Sequence, residues 1–264
     1  MKALILVPTY NERENLPVLA AGLLAIPDVA MLVIDDASPD GTGQIADGLA
    51  RQHPGRVQVM HRAGPRGLGR SYLDGFRAAV AGDADVVCQM DADLSHDPRF
   101  LPSMLAAIDG GAELVIGSRY RAGGRVENWP LRRRLLSAFA NRYIRMVTGM
   151  HVRDCTSGYR CWRRTALARL QLDSIASEGY AFLTEIIFQA AAAGIRIAEV
   201  PIVFVERRQG ASKLSSAVLL ESLITPWRLA RRNGRISYQR TGIGHRGTGN
   251  SDERAEIGDH KLRK

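Results

Sequence analysis

DVVCQMDADLSHD, Asp85 to Asp97, is a hydrophobic run that stops at an acidic turn. Val86, Val87, Cys88 and Met90 read as a buried strand, and Asp91-Ala92-Asp93 ends it abruptly. Two carboxylates one residue apart, just past a strand's carboxyl end, form a seat for a hard divalent cation. Mg²⁺ and Mn²⁺ prefer oxygen ligands and are held by one or two carboxylates plus substrate phosphates. On this reading the turn belongs to an enzyme that handles a nucleoside diphosphate. The same tripeptide also reads as a solvated acidic turn, and these residues alone leave both readings open.

Outward from this strand, the first half of the chain alternates short β-rich runs with helical patterns. Ala3 to Val7, Met31 to Ile34, Val57 to Met60, Asp85 to Met90 and Leu114 to Ile116 read as buried strands. Asn15 to Leu24, Gly43 to Ala50, Gly69 to Ala81 and Arg99 to Ile108 carry helical spacing between them. This rhythm predicts an α/β fold, a doubly wound and mostly parallel sheet with helices on both faces. Ligands bind such sheets at the strands' carboxyl ends, near the switch in strand order. The loops there are PTYNERE, DDASPDGT, DADLSHD and GSRY.

Beyond Arg121 the rhythm changes. A Gly-rich loop, Ala122 to Arg125, leads to a helix from Leu131 to Val147. Its apolar positions Leu135, Phe139, Tyr143 and Val147 recur every four residues, while Arg133 and Ser137 share another face. After HVRDCTSGYRC come a helix pair, a strand from Ile197 to Val205 and the basic loop ERRQGASK. A last amphipathic helix spans Ser215 to Arg232, with Leu219, Leu220, Leu223, Ile224 and Trp227 on one side. From Asn233 on, glycine and charge replace periodicity. The expected organisation is a domain over residues 1–232 and a disordered basic tail over 233–264.

Composition narrows the class. The 264 residues are 45% hydrophobic and 24% charged, the balance of a globular protein with a proper core. No apolar run approaches the ~18–20 residues that span a bilayer, and Pro8 breaks the first one, so a cytosolic chain is expected. Cys88, Cys155 and Cys161 lack Cys-x-x-Cys spacing and are expected to be buried or inert thiols. A net charge of +9 calls for an anionic partner. Arginines 119, 121, 125, 132, 133 and 134 crowd one segment against a single Glu127. Aromatic residues do not alternate with them as a single-strand platform requires, so no nucleic-acid partner is expected.

Each motif has a functional and a plain reading. PTYNE (Pro8 to Glu12) is a helix start, or a loop whose Tyr10 stacks on a base that Glu12 hydrogen-bonds. In IDDASPDGT, Ser38 to Gly41 is a turn, whereas Asp36 stands where an acidic residue can take a ribose or base N–H. RGLGRSYLDG follows the third strand with the wrong glycine spacing for a dinucleotide loop; Gly67 and Gly69 still permit close approach to a sugar or pyrophosphate. Arg119 in GSRY is a solvated arginine or a fork for phosphate. His96 is a ligand or base, or merely the neighbour of the helix start at Asp97-Pro98.

Taken in order, PTYNERENL, IDDASPDGT, MDADLSH, GSRY, TSGYR and VPIVFVERRQGASKL resemble the inverting family 2 glycosyltransferases of GT-A fold. Within them the chain is most similar to the dolichol-phosphate or polyprenol-phosphate mannose synthases, over Ala3 to Trp227. The Phe204-Val205-Glu206-Arg207 run followed by Ser212-Lys213-Leu214 carries the finer likeness. The resemblance implies that Pro8, Tyr10, Glu12, Ile34 and Asp36 hold the guanosine of GDP-mannose. It implies that Asp91, Ala92 and Asp93 line the diphosphate, with Asp93 the main ligand of Mg²⁺ or Mn²⁺. Ser95 stands where some relatives carry Gln, so the third ligand is Ser95 or a water. Arg119, Arg133 and Ser137 are implied to bind the acceptor phosphate, and Arg207 and Lys213 the donor diphosphate. Asp93, Arg119 and Arg133 are thereby the catalytic set.

The residue chemistry agrees with that transfer. The acceptor of a glycosyl phosphate is an oxygen already anionic at neutral pH, so no general base is required. Catalysis then consists of positioning and electrostatics. The two amphipathic helices either pack on the core, rest in the bilayer interface where a polyprenyl phosphate lies, or meet an integral-membrane partner. The expected location is the cytoplasmic face of the membrane, peripherally bound. The rivals are a relative that uses a UDP-sugar on the same lipid phosphate, and a non-catalytic nucleotide-sugar or nucleic-acid binder.

Overall fold

A computed structural model describes residues 1–175, 177, 179–206 and 216–233. The first half folds as its alternation predicts: β1 (Ala3–Thr9), α1 (Asn15–Leu24), β2 (Val29–Asp35), α2 (Thr42–Gln52), β3 (Val57–His61), α3 (Leu68–Ala81), β4 (Val86–Gln89), α4 (Leu101–Asp109) and β5 (Leu114–Ser118). Asp97 opens α4 through a short 3-10 turn. Its carboxylate accepts from the Arg99 N–H at 2.9 Å, and Pro98 supplies a residue that needs no donor there.

The second half holds β6 (Arg125–Glu127), α5 (Leu131–Thr148), β7 (Arg160–Arg163), the single-turn α6 (Arg164–Leu167), α7 (Gly179–Ala192), β8 (Ile197–Pro201), β9 (Val203–Val205) and α8 (Ser216–Asn233). Two departures from the sequence expectation matter. The single strand expected over Ile197 to Val205 is two strands in two sheets, because β8 pairs with β5 while β9 pairs with β6. The Gly-rich loop leads into β6 at Arg125, and TSGYR leads into β7, a strand the local pattern does not announce.

The main sheet has the order β3-β2-β1-β4-β7-β5-β8, parallel except for β7. Strand order reverses beside β1, whose neighbours are β2 and β4. The carboxyl ends of β1, β2, β4 and β5 therefore meet along one edge. The antiparallel β7 begins at that edge, which brings residues 154–159 between β4 and β5.

Alternation along the strands builds two cores. Leu6, Leu32 and Ile34 face Tyr72, Phe76, Trp162, Phe182 and Ile186 on one side. Ile5, Val7, Met31 and Val33 face Leu16, Leu19, Leu23, Met104 and Ile108 on the other. Cys88, Cys155 and Cys161 are buried free thiols, and burial pushes the Cys155 thiol up to about 12.

The amphipathic helices divide their apolar stripes. In α5, Val147 is buried and Tyr143 half-buried, whereas Leu135 and Phe139 are each 62% exposed. In α8, Leu229 is buried but Leu223, Ile224 and Trp227 are exposed. The Tyr143 hydroxyl donates to the Leu223 carbonyl at 2.7 Å, so the exposed parts form one surface. The side chains of residues 219 and 220 and the tail from residue 234 lie outside the described residues.

Close packing of α3 on the sheet depends on Gly75. A Cβ there would stand 2.5 Å from Ile34 Cδ1 and 3.1 Å from Leu6 Cδ1. Gly75→Ala is expected to destabilise the protein by about 1–3 kcal/mol. A lower denaturant midpoint in equilibrium unfolding checks this; an unchanged midpoint would show that α3 can move away at no cost.

Candidate active site

The acidic turn sits where its strand delivers it, at the carboxyl end of β4. Asp91 Oδ1 accepts from the buried Tyr72 hydroxyl at 3.2 Å. A Cβ on Gly158 would lie 3.3 Å from Asp91 Oδ2, so this glycine leaves room for the carboxylate against β7's leading loop. Burial first, and then the charge of Asp91, raises the Tyr72 phenol well above its ordinary value, so it remains a donor. Asp93 Oδ1 accepts from Ser95 twice, from its N–H at 3.1 Å and its hydroxyl at 2.5 Å. Ser95 is itself buried, so in this structure its hydroxyl orients Asp93.

His96 is buried as well. Its Nδ1 accepts from the Asp91 N–H at 3.1 Å, and its ring stacks on Tyr159 with centroids 5.2 Å apart. Those contacts fit the plain reading, a histidine that shapes the turn. Ala92 is buried between the two aspartates. No group of three or more His, Cys, Asp or Glu suited to a metal occurs among the described residues. Asp91 and Asp93 are half-buried hard-oxygen donors, and the pair fits a cation that takes its remaining ligands from substrate phosphate and water.

At the ends of β1 and β2 the expected nucleoside residues come together, with several already engaged. Ile34 is a core side chain with no exposure, so only its backbone can contribute. Asp36 pairs with Arg62 and accepts from the Gly67 N–H at 2.9 Å. Arg62 also bonds Asp74 at 2.8 Å. Asp36 therefore ties the loop after β3 to the end of β2. Gly69 packs against Phe182, which accounts for that glycine by close packing.

Tyr10 carries the Arg66 guanidinium over its ring at 4.5 Å, and Arg66 Nη1 donates to its hydroxyl at 2.6 Å. Glu12 shows its helix-start reading. Its carbonyl accepts from the Asn15 and Leu16 N–H groups at the start of α1, and its carboxylate accepts from Asn15 Nδ2 at 2.8 Å. Pro8 is half-buried beside them.

Past β5, Arg119 is not a solvated arginine. It is 8% exposed and forks onto Asp154, with Nε at 2.8 Å from Oδ2 and Nη2 at 2.7 Å from Oδ1. Nη2 also donates to the Thr156 hydroxyl at 2.7 Å. Burial opposes the charge on Asp154, yet the charge and hydrogen bonds of Arg119 hold its carboxyl below the usual range. Tyr120, Trp129 and Phe204 surround this guanidinium with ring centroids 5.4–5.6 Å away.

Arg133 also lies over Trp129, 4.1 Å from its ring centroid, and pairs with Glu206. Ser137 is half-buried one turn later. Asn141 follows on the same face and donates to the Ser137 carbonyl at 3.0 Å and to Thr156 Oγ1 at 3.2 Å. The structure thus gathers Arg119, Arg133 and Ser137 beside β5, and Asp91 and Asp93 beside β4. Arg207 and Lys213 lie outside the described residues.

Sequence reasoning missed Asp154, Thr156, Trp129, Asn141, Tyr72 and Arg62. Only Asn141 had a local signal, the four-residue spacing from Arg133 and Ser137. The others are brought in by pairings far along the chain.

Residues 4–171 match the profile described as Glycosyl transferase family 2. The chain is 45% identical over 234 residues to polyprenol monophosphomannose synthase of Mycolicibacterium smegmatis, covering 88% of each. It is 45% identical over 235 residues to undecaprenyl-phosphate mannosyltransferase of Micrococcus luteus, covering 88% of this chain and 96% of that one. It is 36% identical to dolichol-phosphate mannosyltransferase of Pyrococcus furiosus, covering 89% of this chain and 66% of that longer one. Among solved structures, glucosyl-3-phosphoglycerate synthase of Mycobacterium tuberculosis, with Mn²⁺, UDP and phosphoglyceric acid, superposes with a TM-score of 0.64. That match covers 88% of this chain and 78% of the other at 18% identity, a likeness of fold. Sequence profile, relatives and sheet topology agree: the chain belongs to glycosyl transferase family 2.

Proposed function

We propose that this chain transfers mannose from GDP-mannose to the phosphate of a polyprenyl or dolichyl-type lipid, with inversion. The observation that carries this reading is the placing of an acidic and a basic cluster past the carboxyl ends of neighbouring parts of one sheet. An acidic turn stands at the end of β4, and two arginines stand around Trp129 beyond β5. The names of the relatives at 45% identity support mannosyl transfer to a polyprenyl phosphate.

In the reaction a phosphate oxygen of the acceptor attacks the anomeric carbon of mannose from the side opposite the diphosphate. The carbon–oxygen bond to GDP breaks, GDP departs with the electron pair, and an α-linked donor becomes a β-linked mannosyl phosphate. The nucleophile carries no proton at neutral pH, so no side chain needs to remove one. The work left to the protein is to bring two anions together and to stabilise the leaving group. Arg119, Arg133 and Ser137 are the acceptor-phosphate residues on this reading, with Arg119 fixed in place by Asp154. Pro8, Tyr10, Glu12 and Asp36 surround the nucleoside, and Arg207 and Lys213 take the diphosphate. A divalent cation held by Asp91 and Asp93 would supply charge stabilisation to the leaving diphosphate.

We further place the chain peripherally on the cytoplasmic membrane surface. Leu135, Phe139, Ile224 and Trp227 form an exposed apolar face, flanked by the exposed Arg132, Arg142, Arg228 and Arg231. Apolar side chains ringed by arginines suit the boundary between acyl chains and anionic headgroups.

Three results are expected. Incubated with labelled GDP-mannose, polyprenyl phosphate and Mg²⁺ or Mn²⁺, the protein moves label into the lipid phase; transfer from a UDP-sugar alone would overturn the donor assignment. Asp93→Asn lowers kcat by at least about a hundredfold while the unfolding midpoint stays put, and retained activity would remove the metal role. The double variant Leu135→Glu, Phe139→Glu no longer floats with phosphatidylglycerol vesicles yet still mannosylates a water-soluble short-chain acceptor. Unchanged flotation would assign this face to a protein partner instead.

A further inference from the structure

Arg133 is engaged in a way that bears on how the acceptor enters. Its guanidinium carbon lies over Trp129, 4.1 Å from the ring centroid, and Nη1 donates to the Glu206 carboxylate. Both partners of this pair are about one-third exposed, so the pair is reached by solvent. Glu206 leaves β9 directly, and its N–H donates to the Glu127 carbonyl at 3.3 Å, which holds its backbone beside β6. Arg119, by contrast, is paired with a carboxylate that has no exposure.

The two arginines thus differ in what their carboxylates can do. Asp154 is sealed in the interior and accepts additionally from the Arg119 backbone N–H at 2.9 Å. It can only be a permanent support. Glu206 is a one-third exposed carboxylate on an arginine that the proposed function assigns to an incoming phosphate. A carboxylate and a phosphate monoester offer a guanidinium the same thing, anionic oxygens spaced for its fork. They also repel one another, so both cannot sit on one cation without cost.

We propose that Glu206 is an internal stand-in for the acceptor phosphate. It holds Arg133 against Trp129 before the acceptor arrives and is exchanged for the phosphate when it binds. Glu206 thereby sets acceptor affinity. Its carboxylate keeps Arg133 oriented and partly neutralised, and every acceptor must displace it. A solvent-reached pair of this kind is weak, so the exchange is easily driven by a doubly charged phosphate. This inference rests on the reading of Arg133 as an acceptor-phosphate residue.

The test is a titration of the full-length protein with farnesyl phosphate, followed by the Trp fluorescence expected to respond at Trp129 and by steady-state KM. Glu206→Gln keeps the shape and removes the charge. It is expected to bind farnesyl phosphate roughly two- to fivefold more tightly and to lower KM for the acceptor but not for the sugar donor. Arg133→Gln is expected to weaken acceptor binding, and in that background Glu206→Gln should have no further effect. Weaker binding by Glu206→Gln would make Glu206 a support for Arg133 and overturn the exchange. Unchanged binding by Glu206→Gln with weakened binding by Arg133→Gln would also overturn it, while leaving Arg133 in the acceptor site. If Arg133→Gln changes nothing, the acceptor assignment of Arg133 falls and the exchange falls with it.

Discussion

The buried pair of Arg119 and Asp154 is the constraint on which one side of the candidate site is built. Neither side chain reaches solvent to any extent that matters, at 7% and 0% exposure. Such a pair stands only if geometry and extra hydrogen bonds repay the loss of hydration. Here both requirements are met: two parallel side-chain bonds, a backbone N–H, and the Thr156 hydroxyl. Asp154 and Arg153 also donate their N–H groups to the Glu199 carboxylate on β8, each at 3.0 Å. Asn141 on α5 accepts from the Cys155 N–H at 2.7 Å. Through this one pair, the end of β5, the loop before β7, β8 and α5 share a single register.

The other side of the candidate site is fixed by the same logic with different residues. Asp36, Arg62 and Asp74 chain the end of β2 to α3, and Gly67 closes the loop onto Asp36. Tyr72, also on α3, reaches under the acidic turn to Asp91. One helix therefore positions both the proposed nucleoside side and the proposed metal side. Gly75 makes this possible, since it lets α3 lie against Leu6 and Ile34. Groups that must stabilise charge are useful when they need not reorganise at the moment of reaction, and rigid supports provide that.

What was legible in the sequence follows from this division. The parallel strands announce themselves because both faces are covered, so they read as continuous apolar runs ending in polar loops. β7 does not, being four residues with arginine at each end; it is a strand only because β4 and β5 supply partners. Arg160 is fully buried there, donating to the carbonyls of Ser157 at 2.8 Å and Cys155 at 3.2 Å, and burial pushes its guanidinium down to about 10. No local pattern marks an arginine for the interior. The site shows the same split. Asp91, Asp93 and Arg119 stand in loops that the alternation locates, and Arg133 stands near the start of a helix that its four-residue stripe marks. Their supports, Tyr72, Asp154 and Glu206, come from elsewhere in the chain. Periodicity also found the stripe on α5 without saying what covers it. Its lower half turned out to be core and its upper half surface.

That last division has a consequence for a lipid acceptor. On α5, Arg133, Ser137 and Asn141 follow one another at four-residue spacing and face the site. Leu135 and Phe139 point outward from the same turns. The proposed phosphate-binding face and the proposed membrane face are thus opposite sides of one helix, about 10 Å apart. A phosphate that reaches Arg133 has risen from the bilayer surface and drawn the first isoprenoid carbons with it, at about 0.8 kcal/mol for each CH₂ group exposed to water. Rings offset that cost if they line the path. Trp129, Phe204 and Tyr120 stand around Arg119, with Trp129 edge-on to Phe204 at 5.5 Å. On the proposed function, the same aromatic residues that steady two guanidinium groups would give the emerging chain an apolar wall. Charge recognition and hydrocarbon cover are then two uses of one cluster.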